Sequence, residues 1–244
     1  MTKLNKLSNT KIQAKANNQT QDDVVYCHIF DAILEQRLPP STKLNEESLS
    51  EIFGVSRTII RRSLLRLSLE QVVDIKPNRG ATVSAPTIEE ATQILKAREI
   101  AELAVTELAT DNCNPQQMQV LRNLVTSENE AIANGDVGKG IRLSGEFHIE
   151  LAKMAKNAPL LHFLRSLVSQ TSLLIAQYEG SNNSNCSQDE HTNLLNAIES
   201  GDKVKALDLM GHHLMHIRAN LNLNDDATSS DLHVVFSNVI RSRA

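Results

Sequence analysis

The apolar positions of this chain fall into two regimes. Up to about residue 85 they come in short groups between breakers. Beyond it they recur every three or four residues almost without interruption. In the first regime Val25, Ile29, Ile33 and Leu34 mark the buried side of a helix beginning at Asp22. It ends ahead of Leu38-Pro39-Pro40, since proline disfavours helix in the residue before it. Ser41 to Leu44 reads as short and extended. Asn45 is placed to cap a helix from Glu46 to Phe53, with two acids in the first turn where the helix dipole favours them, and Gly54 ends it. Ser56 is placed to cap the next helix, through Leu69, its hydroxyl accepting from amides two or three residues on. Val72 to Ile75 and Ala81 to Ser84 predict two strands around the turn Lys76-Pro77-Asn78-Arg79-Gly80.

In the second regime Thr87 can cap a helix with Glu89 and Glu90 in its first turn. The spacing predicts helices near 88–110, 115–134, 137–156, 159–179, 187–200 and 202–223, with a seventh at 229–242. The breakers agree: Asn114-Pro115, Gly135, Pro159, Gly180 to Ser184, and Gly201. The expected fold is therefore mainly α: a small helical unit with a β-hairpin, then an antiparallel helical bundle. The expected divisions are a disordered arm at 1–21, a first domain at 22–85, a helical domain at 86–224 and a tail at 225–244.

Composition makes the core aliphatic: 41% of residues are hydrophobic but only 3% aromatic. Charge separates the halves. Residues 1–86 hold 12 Lys+Arg against 9 Asp+Glu, and residues 87–244 hold 13 against 20. A basic front and an acidic back suggest different partners. Cys27, Cys113 and Cys186 are too far apart for a CxxC pair and read as reduced thiols of a cytoplasmic protein. No run approaches the roughly 20 apolar residues of a membrane span, so no membrane partner is expected.

The basic charge concentrates on the Ser56 helix. Arg57 and Arg61 lie four apart and share a face; Arg62 and Arg66 form a second row; Ile60, Leu64 and Leu67 point inward. By itself this is either a solvated surface helix or one that suits the major groove of DNA, where arginine pairs with guanine edges or phosphates. The neighbours decide. A short helix joined to it through a tight turn makes a helix-turn-helix, and the following hairpin makes a wing whose Arg79 and Gly80 could enter a minor groove.

This front half resembles the GntR family of bacterial transcription regulators. The matching residues are Leu38-Pro39-Pro40, Leu44-Asn45-Glu46, Leu49, Gly54-Val55-Ser56-Arg57-Thr58, Arg61, Leu64, Leu67 and Pro77-Asn78-Arg79-Gly80. The resemblance implies DNA-binding roles for Ser56, Arg57, Thr58, Arg61, Arg62, Arg66, Arg79 and Gly80. It also implies a homodimer on double-stranded operator DNA. The family usually carries Pro at position 59, Glu at 62, and Gly at 41 and 71, where this chain has Ile59, Arg62, Ser41 and Gln71. A position that is basic and DNA-contacting in some members is Glu47 here.

The back half resembles the FCD-type effector domain of the FadR subfamily, with a helix count closer to its VanR-like branch. The supporting residues are Arg98 with Glu102 and Phe147-His148. Five of the eight histidines lie at three places on different predicted helices: His148, His191, and His212, His213 and His216 together. Imidazole suits Zn, Ni, Cu or Fe, and three histidines leave an open ligand position. Many domains of this type hold a metal through Asp-x-x-x-His and one histidine from each of two later helices. By position His148, His191 and His213 match, and Ser144 stands in the aspartate's place. The resemblance thus implies a divalent metal, Zn or Ni, and a small organic acid effector bound near Arg98 and Ser144. Core histidines joined only by hydrogen bonds, histidines that bind an anion directly without metal, and a salt bridge from Arg98 to Glu102 are the plain alternatives. His212 and His216 read as solvated or supporting groups, and His28, His162 and His233 as structural or exposed. The expected function is that of a ligand-responsive repressor; a helical-bundle metalloenzyme using a three-histidine site is the alternative.

Overall fold

The structure is a computed structural model, and it describes residues 20–35, 37–178 and 189–223. Cys186, His233, the N-terminal arm before residue 20 and the helix expected at 229–242 lie outside the described residues.

Helix α1 (Gln21–Leu34) opens on a capping box. The Thr20 hydroxyl accepts from the Asp23 amide while the Asp23 carboxylate accepts from the Thr20 amide. Val25, Ile29, Ile33 and Leu34 are all buried, as their spacing predicts. Strand β1 (Lys43–Leu44) follows, so the extended stretch is a strand, although too short to show a period. Helix α2 (Glu46–Phe53) is capped by Asn45, whose side chain accepts from the Glu47 and Ser48 amides. Gly54 ends it in the left-handed region at φ 64°, which glycine enters without steric cost.

Helix α3 (Arg57–Leu69) starts where expected, but not by the expected bond. Ser56 has the extended backbone of an N-cap, yet its side chain makes no capping hydrogen bond. Ile60, Leu64 and Leu67 are buried. Strands β2 (Val73–Lys76) and β3 (Gly80–Val83) form the hairpin, and β1 adds to it in the order β1-β3-β2, all antiparallel. Val73 pairs with Val83 and Lys76 with Gly80; Leu44 pairs with Ala81 on the other side. Both strands lie one residue nearer the turn than expected: Lys76 pairs with Gly80 because the turn closes tightly through Asn78 and Gly80, both at positive φ.

Six helices complete the described chain: α4 (Ile88–Asp111), α5 (Pro115–Ala133), α6 (Val137–Met154), α7 (Ala158–Tyr178), α8 (Glu190–Glu199) and α9 (Lys203–Asn220). The bounds follow the breakers, with α6 and α9 shorter at their C-termini than the spacing predicts. A capping box at Thr87 and Glu90 starts α4. Helix α6 stops before Lys156, which turns left-handed at φ 54°. The aliphatic cluster of the bundle centres on Phe147, Leu151, Met154, Leu164, Leu174 and Leu195, none more than 1% exposed. The front half has its own cluster around Ile29, Ile33, Ile60, Leu64 and Val72.

The two halves meet at α6 and α7. Leu173 of α7 is fully buried in the front cluster rather than in that of the bundle. Ser166 Oγ donates to the carbonyl of Glu70, at the end of α3. Tyr178 Oη and Gln177 Nε2 both donate to the Pro86 carbonyl in the connection to α4. On α6, Arg142 approaches Glu35 at 3.7 Å, and Gly138 packs so closely that an added Cβ would lie 2.7 Å from the Glu35 carbonyl oxygen.

Candidate nucleic-acid interface and metal centre

At the front, burial of one side of α3 presents Ser56, Arg57, Thr58, Arg61 and Arg62 to solvent. Each arginine on the helix is paired with an acid. Arg57 Nη2 meets Glu47 at 2.5 Å and Arg61 Nε meets Glu46 at 2.7 Å, both on α2. Arg62 pairs with Asp22 and Arg66 with Asp23, both in the first turn of α1. The rows therefore differ in surroundings. Arg57 and Arg61 face the α2 side, where a groove of about 290 Å³ is lined by Lys43, Glu46, Glu47, Arg57, Arg79 and Gly80. Arg66 faces α1, its guanidinium 3.9 Å from the centre of the Tyr26 ring. Exposed ion pairs of this kind contribute about 0–1 kcal/mol each, so phosphate can displace the acids at little cost.

Deep in the bundle, α6, α8 and α9 bring His148, His191 and His213 together. All three are buried, and one ring nitrogen from each lies within 4.8 Å of the others. The Nε2 atoms of His148 and His213 are 3.2 Å apart. Each ring has a carboxylate beside its Nδ1, hydrogen-bonded for His191 and His213 and, for His148, near but without hydrogen-bond geometry. His148 Nδ1 lies 2.8 Å from Glu102, His191 Nδ1 2.8 Å from Glu128, and His213 Nδ1 2.7 Å from Glu190. Phe147 stacks on the His191 ring with centroids 4.1 Å apart, fixing its plane. His216, half exposed, holds the other oxygen of Glu190 and so supports His213 through it. His28, His162 and His212 are exposed, away from the cluster.

The electrostatics favour neutral rings with free lone pairs at His148 and His213. Burial lowers the His148 pKa to about 4 and that of His213 to about 3. Burial alone would raise Glu102, but His148 and Arg98 outweigh it and hold the carboxyl at about 2. Glu190 is lowered to about 2, first by its hydrogen bond with His213. Arg98, itself buried, reaches Glu102 through Nε at 3.2 Å, so the salt bridge the spacing allows is present.

This donor set fits a divalent cation. The buried Nε2 of His191 has no hydrogen-bond partner among the described residues. A tetrahedral ion with Zn–N near 2.0–2.1 Å places its ligand nitrogens about 3.3 Å apart, close to the His148–His213 separation. The carboxylates behind the rings are the arrangement that orients metal-ligating histidines. Formally, Glu102, Glu128 and Glu190 against Arg98 leave this cluster two positive charges short, the charge of such an ion.

Beside the cluster is a cavity of about 180 Å³ between α4, α5, α6, α7 and α9. Arg98, Glu128, Ser144 and Ser172 supply polar groups; Ile132, Ile141, Val168 and Ile175 supply apolar walls. The sequence-derived effector residues Arg98 and Ser144 thus line one space. Sequence reasoning missed Glu128 and Glu190, and took Glu102 only as the partner of Arg98. Their signal is an acid inside an apolar stripe: Glu102 between Ala101 and Val105, and Glu128 three residues after Val125.

Residues 21–83 match the bacterial regulatory proteins of the gntR family, and residues 93–216 match the FCD domain. The chain is 24% identical over 193 residues to the HTH-type transcriptional regulator YdhC of Bacillus subtilis, covering 78% of this chain and 86% of that one. It is 24% identical over 202 residues to the HTH-type transcriptional regulator LutR of the same organism, covering 74% and 91%. Among solved structures, Escherichia coli McbR/YncC superposes with a TM-score of 0.71 at 21% identity, covering 82% of this chain and 96% of that one, and shares the fold.

Proposed function

The chain belongs to the GntR family of bacterial regulatory proteins and carries an FCD domain; from that premise we propose that it is a ligand-responsive repressor acting as a homodimer on near-palindromic operator DNA in the cytoplasm. Its relatives are transcription regulators rather than enzymes, which removes the ground for a bundle metalloenzyme. None of the described helices is long and apolar enough to cross a membrane.

The observation that carries the reading is the exposed Arg57-Thr58 and Arg61 edge of α3, whose Arg57 shares one groove with Arg79 and Gly80 of the wing. In this reading α3 enters the major groove, Arg57, Thr58 and Arg61 meet base edges, and Ser56 and Arg62 meet the backbone. The wing reaches the adjacent minor groove through Arg79, where Gly80 permits close approach. Arg66, stacked on Tyr26, contributes charge toward phosphates and holds α3 against α1. Two copies place their α3 helices in half-sites about one DNA turn apart.

The effector is a small organic acid held in the cavity by Arg98 and Ser144, with His148, His191 and His213 as the residues that would hold Zn or Ni. A cation there supplies a Lewis-acidic anchor for the acid's carboxylate. Serine at position 144 is a poor ligand for a divalent ion, which leaves that side of the centre open to the effector. Arg98, fixed by Glu102, orients the acid, and the apolar walls exclude water around it.

The experiment is selection of duplexes from a random library by the protein, then titration of the enriched duplex with Arg57→Ala and Arg61→Ala. Each variant should fold and lose specific binding, and wild-type affinity should fall steeply with salt. Wild-type affinity in both variants would defeat the reading.

A further inference from the structure

Helix α7 has two working faces. Val168, Ser172 and Ile175 line the cavity. Ser166, Gln170 and Leu173 lie two positions back from these, about 200° around the helix, on the opposite side. That second face belongs to the front half: Leu173 is buried in its cluster, and Ser166 bonds the Glu70 carbonyl at the end of α3, with Gln170 Nε2 donating in turn to Ser166 Oγ. Glu70 is fastened a second time, its side chain accepting from Tyr26 Oη at 2.6 Å. One helix thickness therefore separates whatever fills the cavity from the C-terminal end of the DNA-reading helix.

We infer that α7 is the coupling element, and that Leu173 and Ser166 are positioning residues through which cavity occupancy sets the pose of α3. Packed interiors transmit displacement rather than absorb it, because they hold few voids. A ligand pressing on Val168 and Ser172 moves the Leu173 ridge on the far side. The ridge shifts α3 against the wing and changes how well Arg57 and Arg61 fit DNA. Regulation then runs through the α7 interface. The inference rests on the operator-binding reading above.

The cavity can be perturbed without knowing the effector. Gly145 on α6 lines it, and a Cβ added there would stand 3.1 Å from Val168 Cγ1 and 3.9 Å from Ser172 Oγ. Gly145→Ala therefore pushes on the cavity face of α7 directly. The probe is a duplex enriched from a random library by the wild-type protein. Gly145→Ala should change its Kd by at least about 5-fold. In a Leu173→Ala background the same substitution should change Kd by less than about 2-fold, since the ridge that carries the push is gone. Leu121→Ala, a core truncation on α5 away from this route, is the stability control and should leave the 5-fold effect intact. Ser166→Ala, a milder change, replaces Leu173→Ala if the latter fails to fold, and should also reduce the effect. An unchanged Kd for Gly145→Ala, or the same effect in every background, overturns the coupling. Failure of the wild-type protein to enrich any duplex would instead count against the operator-binding reading.

Discussion

Two residues on the front half sit where the backbone wants glycine. Ser41 has φ 66° and Gln71 has φ 59°, and both are exposed. An L-residue pays roughly 1–2 kcal/mol in this region, because its Cβ crowds the carbonyl oxygen. Neither conformation can relax alone. The Ser41 amide donates to Val83 in the wing at 2.9 Å, and the Gln71 amide donates to Ser68 as α3 ends, at 3.0 Å. Ser41→Gly and Gln71→Gly remove the strain, against roughly 0.4–1 kcal/mol of extra unfolded-state entropy for glycine. The net gain is about 0.5–1 kcal/mol per site. The sites lie at opposite ends of the α2–α3 segment, so the gains should add to about 1–2 kcal/mol. For a chain of this size that is a rise of about 2–8 °C in Tm, read by circular dichroism. Ser41→Ala and Gln71→Ala keep the Cβ and should bring no gain. Glycine variants no more stable than the alanine variants would refute the strain argument. Asn78, also left-handed at φ 60°, should gain less from glycine, because asparagine tolerates that region.

Glu128→Gln keeps the shape behind His191 but removes the charge that orients its ring. It should weaken Zn or Ni binding by about 10–100-fold in a chelator-competition titration, with secondary structure unchanged. Asp23 has its carboxyl held at about 2, first by the Thr20 hydroxyl and then by Arg66. A depressed carboxylate contributes stability that is present above its unfolded pKa near 4 and is lost as pH falls toward 2. Thermal melts of Asp23→Asn should therefore fall below wild type at pH 7 and approach it near pH 2. A constant gap across that window would contradict the assignment.

The front half was largely legible because its elements are punctuated chemically. Asn45 caps α2, Gly54 ends it, and the turn from Lys76 to Gly80 closes the hairpin. Strand β1 was read only as extended chain, since two residues carry no alternation and its partner β3 is nearly forty residues away. The three histidines could be chosen by position along the chain, but their geometry could not. What aims their nitrogens is Glu102, Glu128 and Glu190, and a pattern reading sends such acids to solvent. The role of α7 was hidden for a related reason. Thr171, Ser172, Leu173 and Leu174 are all buried, so the middle of the helix is enclosed on every side, and periodicity that looks for one apolar face cannot assign the second.

Metal binding at the histidine centre can be measured directly. Protein isolated without chelator, and His213→Ala prepared in parallel, should be assayed for bound divalent metal and then melted after stripping, with and without added Zn or Ni. About one ion per wild-type chain is expected, and little in the variant. At a metal concentration near 100 Kd, stripped wild-type protein should gain about 2.7 kcal/mol, a rise of roughly 5–10 °C in Tm that His213→Ala lacks. Metal-free wild-type protein whose Tm does not move on adding either ion would contradict metal binding at this centre.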